Sequence, residues 1–186
     1  MRSLARFVSV AGHPFLLIPL SIALATSEAA STAGFRALLS LTLGSLLVVG
    51  ALVLFGRWRG WWSHIDVPER DRRAPLYGAA IVTTALSTAA LELIGQPSVV
   101  VRGSLVATGM LALSLALNRF ALKVSLHTAM AVYSAGILGV NLGGTALLGV
   151  AVLVGWSRVV LGRHTPREVL AGFAVGLLAC AALLVR

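Results

Sequence analysis

Charge is what this chain has least of. Asp, Glu, Lys and Arg make up 11% of its 186 residues, against roughly 25% in soluble globular domains. Acidic side chains are the scarcest, six against fifteen basic ones. With 58% hydrophobic residues and a mean hydropathy of +0.95, this balance excludes an ordinary soluble domain and places the chain in a bilayer. A formal net charge of +9 is compatible with nucleic acid only if the arginines line one face of a soluble fold. Here they fall between apolar runs, so nucleic acid is excluded as a partner and phosphate is retained. A single cysteine, Cys180, excludes an intramolecular disulfide and a cysteine metal site, and its apolar surroundings assign it to packing. No low-complexity tract or fixed-period repeat is present, and no linker is long enough to hold a second domain. The first apolar run follows Arg2 and Arg6 but lacks a small-residue cleavage site, so it reads as a retained anchor and not as a signal peptide.

A window of about 19 residues finds apolar segments at Phe7 to Ala25, Phe35 to Phe55, Leu76 to Ile94, Ser104 to Leu117, Thr128 to Asn141, Thr145 to Val160 and Val169 to Val185. The expected fold is therefore all-α, a polytopic transmembrane bundle of about six to seven helices forming one domain over residues 1–186. The fifth and sixth segments are short for a span of about 20 residues and are expected to tilt or to rely on snorkelling side chains. Gly172 and Gly176 have the GxxxG spacing that lets helix backbones approach, a packing signal more than a dimer signal.

Basic residues fall into clusters. Arg57, Arg59, Arg70, Arg72 and Arg73 lie between Gly56 and Pro75, Arg119 and Lys123 precede the fifth segment, and Arg158, Arg163 and Arg167 separate the sixth from the seventh. Two crossings lie between successive clusters, so all three are expected at one membrane face. Arg2 and Arg6 join them, giving that face twelve of the fifteen Lys and Arg residues, against Arg36, Arg102 and Arg186 opposite. By the positive-inside rule that face is cytoplasmic. Trp58, Trp61 and Trp62 beside these arginines read as an interfacial aromatic belt, with Arg57 and Arg59 as anchors. Abundant alanine and glycine, and arginine used almost to the exclusion of lysine, point to a GC-rich coding sequence, and the expected location is a bacterial cell membrane.

The densest cluster runs from Ser157-Arg158 through Gly162-Arg163-His164-Thr165-Pro166-Arg167-Glu168. In so apolar a chain, three arginines and a histidine held together point to chemistry on an anion. Upstream stand Val124-Ser125-Leu126-His127 and, earlier still, Asp66 to Pro75 with Arg70, Arg72 and Arg73. In this order and spacing the three segments resemble the motifs of the type 2 phosphatidic acid phosphatase (PAP2) superfamily, membrane lipid phosphatases that also include soluble vanadium-dependent haloperoxidases. The third motif, Ser-Arg, five residues, His, three residues, Asp, is matched except that Glu168 stands in the acidic place. The second, Pro-Ser-Gly-His, keeps Ser125 and His127, with Leu126 in place of glycine. The first keeps arginines near Pro75 without its lysine or its Arg-Pro pair. The motif-bearing core covers about residues 66–186.

The resemblance implies a membrane phosphatase that uses no metal or other cofactor. His164 would be the nucleophile that forms a phosphohistidine, Glu168 would orient its ring, and His127 would protonate the leaving oxygen and then activate water. Arg158, Ser125, Arg73, Arg72 and Arg70 would hold the phosphate and stabilise the charge that gathers on its equatorial oxygens. The expected partners are a lipid phosphate and the surrounding lipids; phosphatidate, phosphatidylglycerol phosphate, a polyprenyl diphosphate and a polyprenyl-linked sugar phosphate all fit.

Blander readings stand beside these. Thr165-Pro166-Arg167-Glu168 is also a helix start with a capping box, so Glu168 reads equally as a cap. Ser125 can cap a helix that begins at His127. Lys123 reads as a snorkelling helix end, and Glu92 as a solvated one. His13, before Pro14, and His64 lack a charged partner at useful spacing and are left out of the site. The competing class is a catalytically degenerate scaffold of the same fold, or an anion-binding membrane protein.

Overall fold

The structure, a computed structural model, describes residues 1–26, 32–64, 67, 70–120 and 122–185. Asp66, Pro68 and Glu69 of the first motif, and Arg186, lie outside the described residues. The chain is all-helical, with eight α-helices and no strand among the described residues. They are α1 (Arg2–Ala11), α2 (Pro14–Thr26), α3 (Thr32–Trp58), α4 (Ala74–Leu93), α5 (Ser98–Phe120), α6 (Leu126–Leu138), α7 (Leu142–Val160) and α8 (Pro166–Leu184), with a short 3-10 turn at Arg70–Arg72.

Five of these helices are long and apolar enough to cross a membrane, and the bent pair α1 and α2 makes a sixth candidate if taken together. The first apolar run is thus two helices and not one. Gly12 caps α1, and its backbone N–H donates to the Val8 carbonyl at 2.8 Å. Pro14 opens α2, and the axes differ by 48°. Proline cannot continue the hydrogen-bond ladder and restrains the residue before it, so the break falls at His13.

The chain divides into two compact units, residues 32–123 and residues 1–31 with 124–186. In the first of these, α4 packs against both α3 and α5. Hydroxyl pairs tie the three helices together: Ser45 to Ser87 at 3.1 Å and Thr88 to Ser104 at 2.7 Å. Such bonds suit an apolar medium that offers no competing partner. The loop after α3 departs from the expected belt. Trp58 and Trp61 are exposed, but Trp62 is buried and its Nε1 donates to the Val53 carbonyl at 3.0 Å. It folds back under the end of α3 into space that Gly56 leaves, because a Cβ there would collide with the indole.

In the other unit, α6 is central, in contact with α2, α7 and α8. Its residues Thr128 to Ala135 are buried without interruption, which explains why it is apolar all round. At 13 residues it is about 20 Å long, shorter than a hydrocarbon core of about 30 Å. The core joins Leu17, Val132, Leu147, Ala151 and Val154. α8 lies close on α6 because Gly172 and Gly176 face it: a Cβ at Gly172 would stand 2.6 Å from the Ser125 carbonyl oxygen, and one at Gly176 2.6 Å from Val132 Cβ. Cys180, also on α8, donates to the Val132 carbonyl at 3.4 Å.

Candidate functional site

The site starts where α7 ends. Arg158 lies in the last turn of that helix and is 2% exposed. Its carbonyl accepts the backbone N–H groups of Arg163 at 2.9 Å and His164 at 3.2 Å. Gly162 allows this reversal, because its φ of +67° is a left-handed conformation that a side chain disfavours. The five-residue spacing between arginine and histidine is therefore one closed turn, which places the His164 backbone within a hydrogen bond of Arg158. Ser157 turns away: its hydroxyl donates to the Val154 carbonyl at 2.7 Å, and it is fully buried.

His164 is 7% exposed and immediately precedes Thr165, the N-cap of α8. Thr165 Oγ1 accepts the Glu168 N–H at 3.3 Å, and Glu168 Oε2 accepts the Thr165 N–H at 3.1 Å, a complete capping box. The same Oε2 lies 2.9 Å from His164 Nδ1. A carboxylate can only accept, so Nδ1 carries the proton and the Nε2 lone pair is the ring's nucleophilic position. Cap and orienter are one role at one oxygen.

The second motif meets the third through the backbone. Ser125 N–H donates to the Glu168 carbonyl at 3.0 Å, so α6 and α7 return the chain to the level at which α6 began. Ser125 occupies the N-cap position of α6, yet its side chain makes no cap bond; its Oγ pairs with Thr128 Oγ1 at 3.0 Å. His127 stands in the first turn of α6 and is half-buried.

His13 and Ser9, which sequence reasoning passed over, belong to this cluster. The His13 and His127 rings meet edge to face, with centroids 4.7 Å apart and planes at 87°. Arg158 Nη1 donates to Ser9 Oγ at 2.8 Å. The available signal was Gly12-His13-Pro14, a helix stop followed by a helix start.

The first-motif arginines lie in the unit of residues 32–123 and hold backbone carbonyls there. Arg70 Nε donates to the Asn118 carbonyl at 2.5 Å and its Nη2 to that of Arg119 at 3.2 Å. Asn118 Nδ2 returns a bond to the Arg70 carbonyl at 3.2 Å. Arg72 Nη1 donates to the Trp61 carbonyl. Arg73, buried, donates from Nε to the Val67 carbonyl at 2.8 Å; Val67 has a φ of +42°, a strained conformation for a β-branched residue. A guanidinium has five donors, more than the two carbonyl bonds of Arg70 and the one of Arg72 use. Among the described residues, no three or more His, Cys, Asp or Glu gather as metal ligands.

The unit of residues 1–31 with 124–186 thus holds a carboxylate-oriented imidazole, a buried guanidinium and a buried serine linked to it through the backbone, and a second histidine two residues beyond that serine, groups of the kinds that attack, bind and protonate a phosphoryl group. A family model described as the PAP2 superfamily matches residues 33–186. No curated protein and no solved structure matches the chain.

Proposed function

The chain belongs to the PAP2 superfamily, and on that premise we propose that it is an integral membrane lipid phosphatase acting through a phosphohistidine on His164. The observation that carries this reading is the 2.9 Å contact between His164 Nδ1 and Glu168 Oε2, which directs Nε2 as the attacking atom. Nε2 forms a bond to phosphorus as the bond to the lipid oxygen breaks, and His127 gives its proton to that oxygen. Glu168 stabilises the ring as positive charge grows on it. Arg158 supplies fixed positive charge to the equatorial oxygens, which gain charge in the five-coordinate transition state. In the second step a water gives its proton to His127 and attacks phosphorus, the P–N bond breaks, and inorganic phosphate leaves.

A lipid substrate follows from the setting. A headgroup phosphate reaches an interfacial site laterally, while exposed leucines and valines along the spans, such as Leu47, Leu86 and Leu105, face the acyl or isoprenoid tails. We propose a phosphomonoester or diphosphate of phosphatidate, phosphatidylglycerol phosphate or polyprenyl type, met at the cytoplasmic face of a bacterial membrane. The bias of basic residues supports that orientation.

The test is phosphate release by the purified protein in detergent, with chelator present, from a panel of lipid phosphates. Wild-type release that is lost in His164→Ala, with an acid-labile phosphoryl group trapped on the wild type alone, is the expected result. Release unaffected by His164→Ala overturns the nucleophile, and no release from any lipid favours a degenerate scaffold. Arg167, exposed beside the site, reports orientation: an Arg167→Cys variant lacking Cys180 should react with an impermeant maleimide only after cells are opened.

A further inference from the structure

The N-terminal helix pair precedes the residues that match the family, and its break faces the site. His13 occupies that break. Its carbonyl accepts the N–H groups of Leu16 at 2.8 Å and Leu17 at 3.0 Å, so its backbone is held by the first turn of α2. Its Nδ1 accepts the Phe15 N–H at 3.2 Å, which puts the proton of the neutral ring on Nε2. Phe15 meets the ring edge-on from one direction, with centroids 4.9 Å apart and planes at 84°. His127 meets it from another, at 4.7 Å and 87°. The His13 ring is thus fixed by its own backbone neighbour and by an aromatic contact, while it touches the histidine at the start of α6. Edge-to-face pairs are directional, so a fixed ring restricts the tilt of its partner.

Four residues earlier, one helical turn away, Ser9 is buried and accepts the 2.8 Å bond from Arg158 Nη1. A hydroxyl suits this task. It orients one arm of the guanidinium without cancelling the positive charge, as a carboxylate in the same place would do. Gly12 permits the approach of the break to α7, since a Cβ there would collide with Val154.

We propose that the bent N-terminal pair is a positioning element of the phosphate site, in which His13 holds the ring of His127 and Ser9 holds the guanidinium of Arg158. The proposal rests on the phosphatase reading above and adds to it residues outside the matched core. Neither residue needs to touch the substrate; each acts through a group that does.

The experiment compares wild type, His13→Ala, His13→Phe and Ser9→Ala as full-length protein in detergent, on two substrates. The diacylglycerol of phosphatidate would depart as an alkoxide and needs a proton from His127. p-Nitrophenyl phosphate has a leaving group that departs without one. His13→Ala should lower kcat/KM, which reads the steps through departure of the leaving group and not the shared water step, at least tenfold on phosphatidate and no more than threefold on p-nitrophenyl phosphate. His13→Phe, which keeps a ring at the contact, should recover most of the phosphatidate loss. Ser9→Ala should raise the vanadate inhibition constant about tenfold with either substrate, because it acts on anion binding. Equal losses on both substrates for His13→Ala would overturn the proposal in favour of a purely structural contact, as would unchanged kinetics in His13→Ala and Ser9→Ala. Where the panel above shows another lipid phosphate to be the substrate, that lipid takes the place of phosphatidate; a wild type that releases phosphate from no lipid of the panel overturns the phosphatase reading and this proposal with it, and so separates the two failures.

Discussion

Glu168 Oε2 lies 2.9 Å from His164 Nδ1 and 3.1 Å from the backbone nitrogen of Thr165, so one oxygen both starts a helix and orients an imidazole. The joint role can be separated by mutation. Thr165→Ala removes the hydroxyl half of the capping box and leaves the carboxylate in place; it should cost about 1 kcal/mol of stability and leave kcat within a few-fold. Glu168→Gln should keep some capping through its carbonyl oxygen but offer the ring a neutral partner, and kcat should fall by about 100-fold or more, as when a triad carboxylate is removed. Thermal unfolding and kcat measured on both proteins check this. A kcat loss in Glu168→Gln no larger than in Thr165→Ala would reduce Glu168 to a cap.

Arg158 gives the second prediction. Buried at the end of α7, it presents a planar fork that a lysine cannot reproduce. Orthovanadate mimics the five-coordinate phosphate and should raise the unfolding temperature of the wild type by binding the folded state preferentially. Arg158→Lys should lose most of that shift while its unliganded unfolding temperature changes little. An equal vanadate shift in both proteins would remove Arg158 from the anion site.

The third motif was legible in the sequence because its turn and its cap are local. From Ser157 to Glu168, the bonds that close them span three to six residues, so spacing alone encodes both. Long apolar runs were legible for a similar reason, since their signal sums along the chain. A 19-residue average, however, smooths over the break at His13, although Gly12 and Pro14 mark it on a shorter scale. Arg102 shortened the fourth segment in the same way, and α5 actually starts at Ser98, directly after Pro97. Destinations fixed by distant partners were not legible. Nothing near Trp62 says that it folds back onto Val53, and the partner of Ser9 is 149 residues away.

The close contact between α8 and α6 yields a third prediction. A methyl at Gly176 would fall 2.8 Å from the Ala129 carbonyl oxygen, and one at Gly172 2.6 Å from that of Ser125. Backbone atoms cannot rotate aside, so each Gly→Ala change should destabilise the protein by about 1–3 kcal/mol. Gly172→Ala should also impair turnover, because it presses on the residue that bonds Glu168. Gly149, on α7, has nothing within 4 Å of an added Cβ, and Gly149→Ala should be neutral or slightly stabilising. Thermal unfolding of the three variants, with phosphate release for Gly172→Ala, decides the matter; equal stability of all three would sink the close-packing account.

Arg70 poses the last test, because its guanidinium already has partners. It donates to the last carbonyls of α5, Asn118 at 2.5 Å and Arg119 at 3.2 Å, and Asn118 Nδ2 returns a bond to the Arg70 carbonyl. The last carbonyls of a helix have no partner within it, and a cation there also meets the negative end of the helix dipole. Arg70→Ala should therefore cost about 1–2 kcal/mol, and hydrogen exchange should quicken at residues 115–120 before it does elsewhere. Arg70→Lys should restore part of the stability, since one ammonium can reach only some of what the fork reaches. Because the guanidinium has donors beyond those two bonds, a role at phosphate would add a rise in KM on top of the stability loss. A rise in KM in Arg70→Ala with unfolding unchanged would show instead that the carbonyl bonds contribute nothing measurable and that the arginine serves the anion alone.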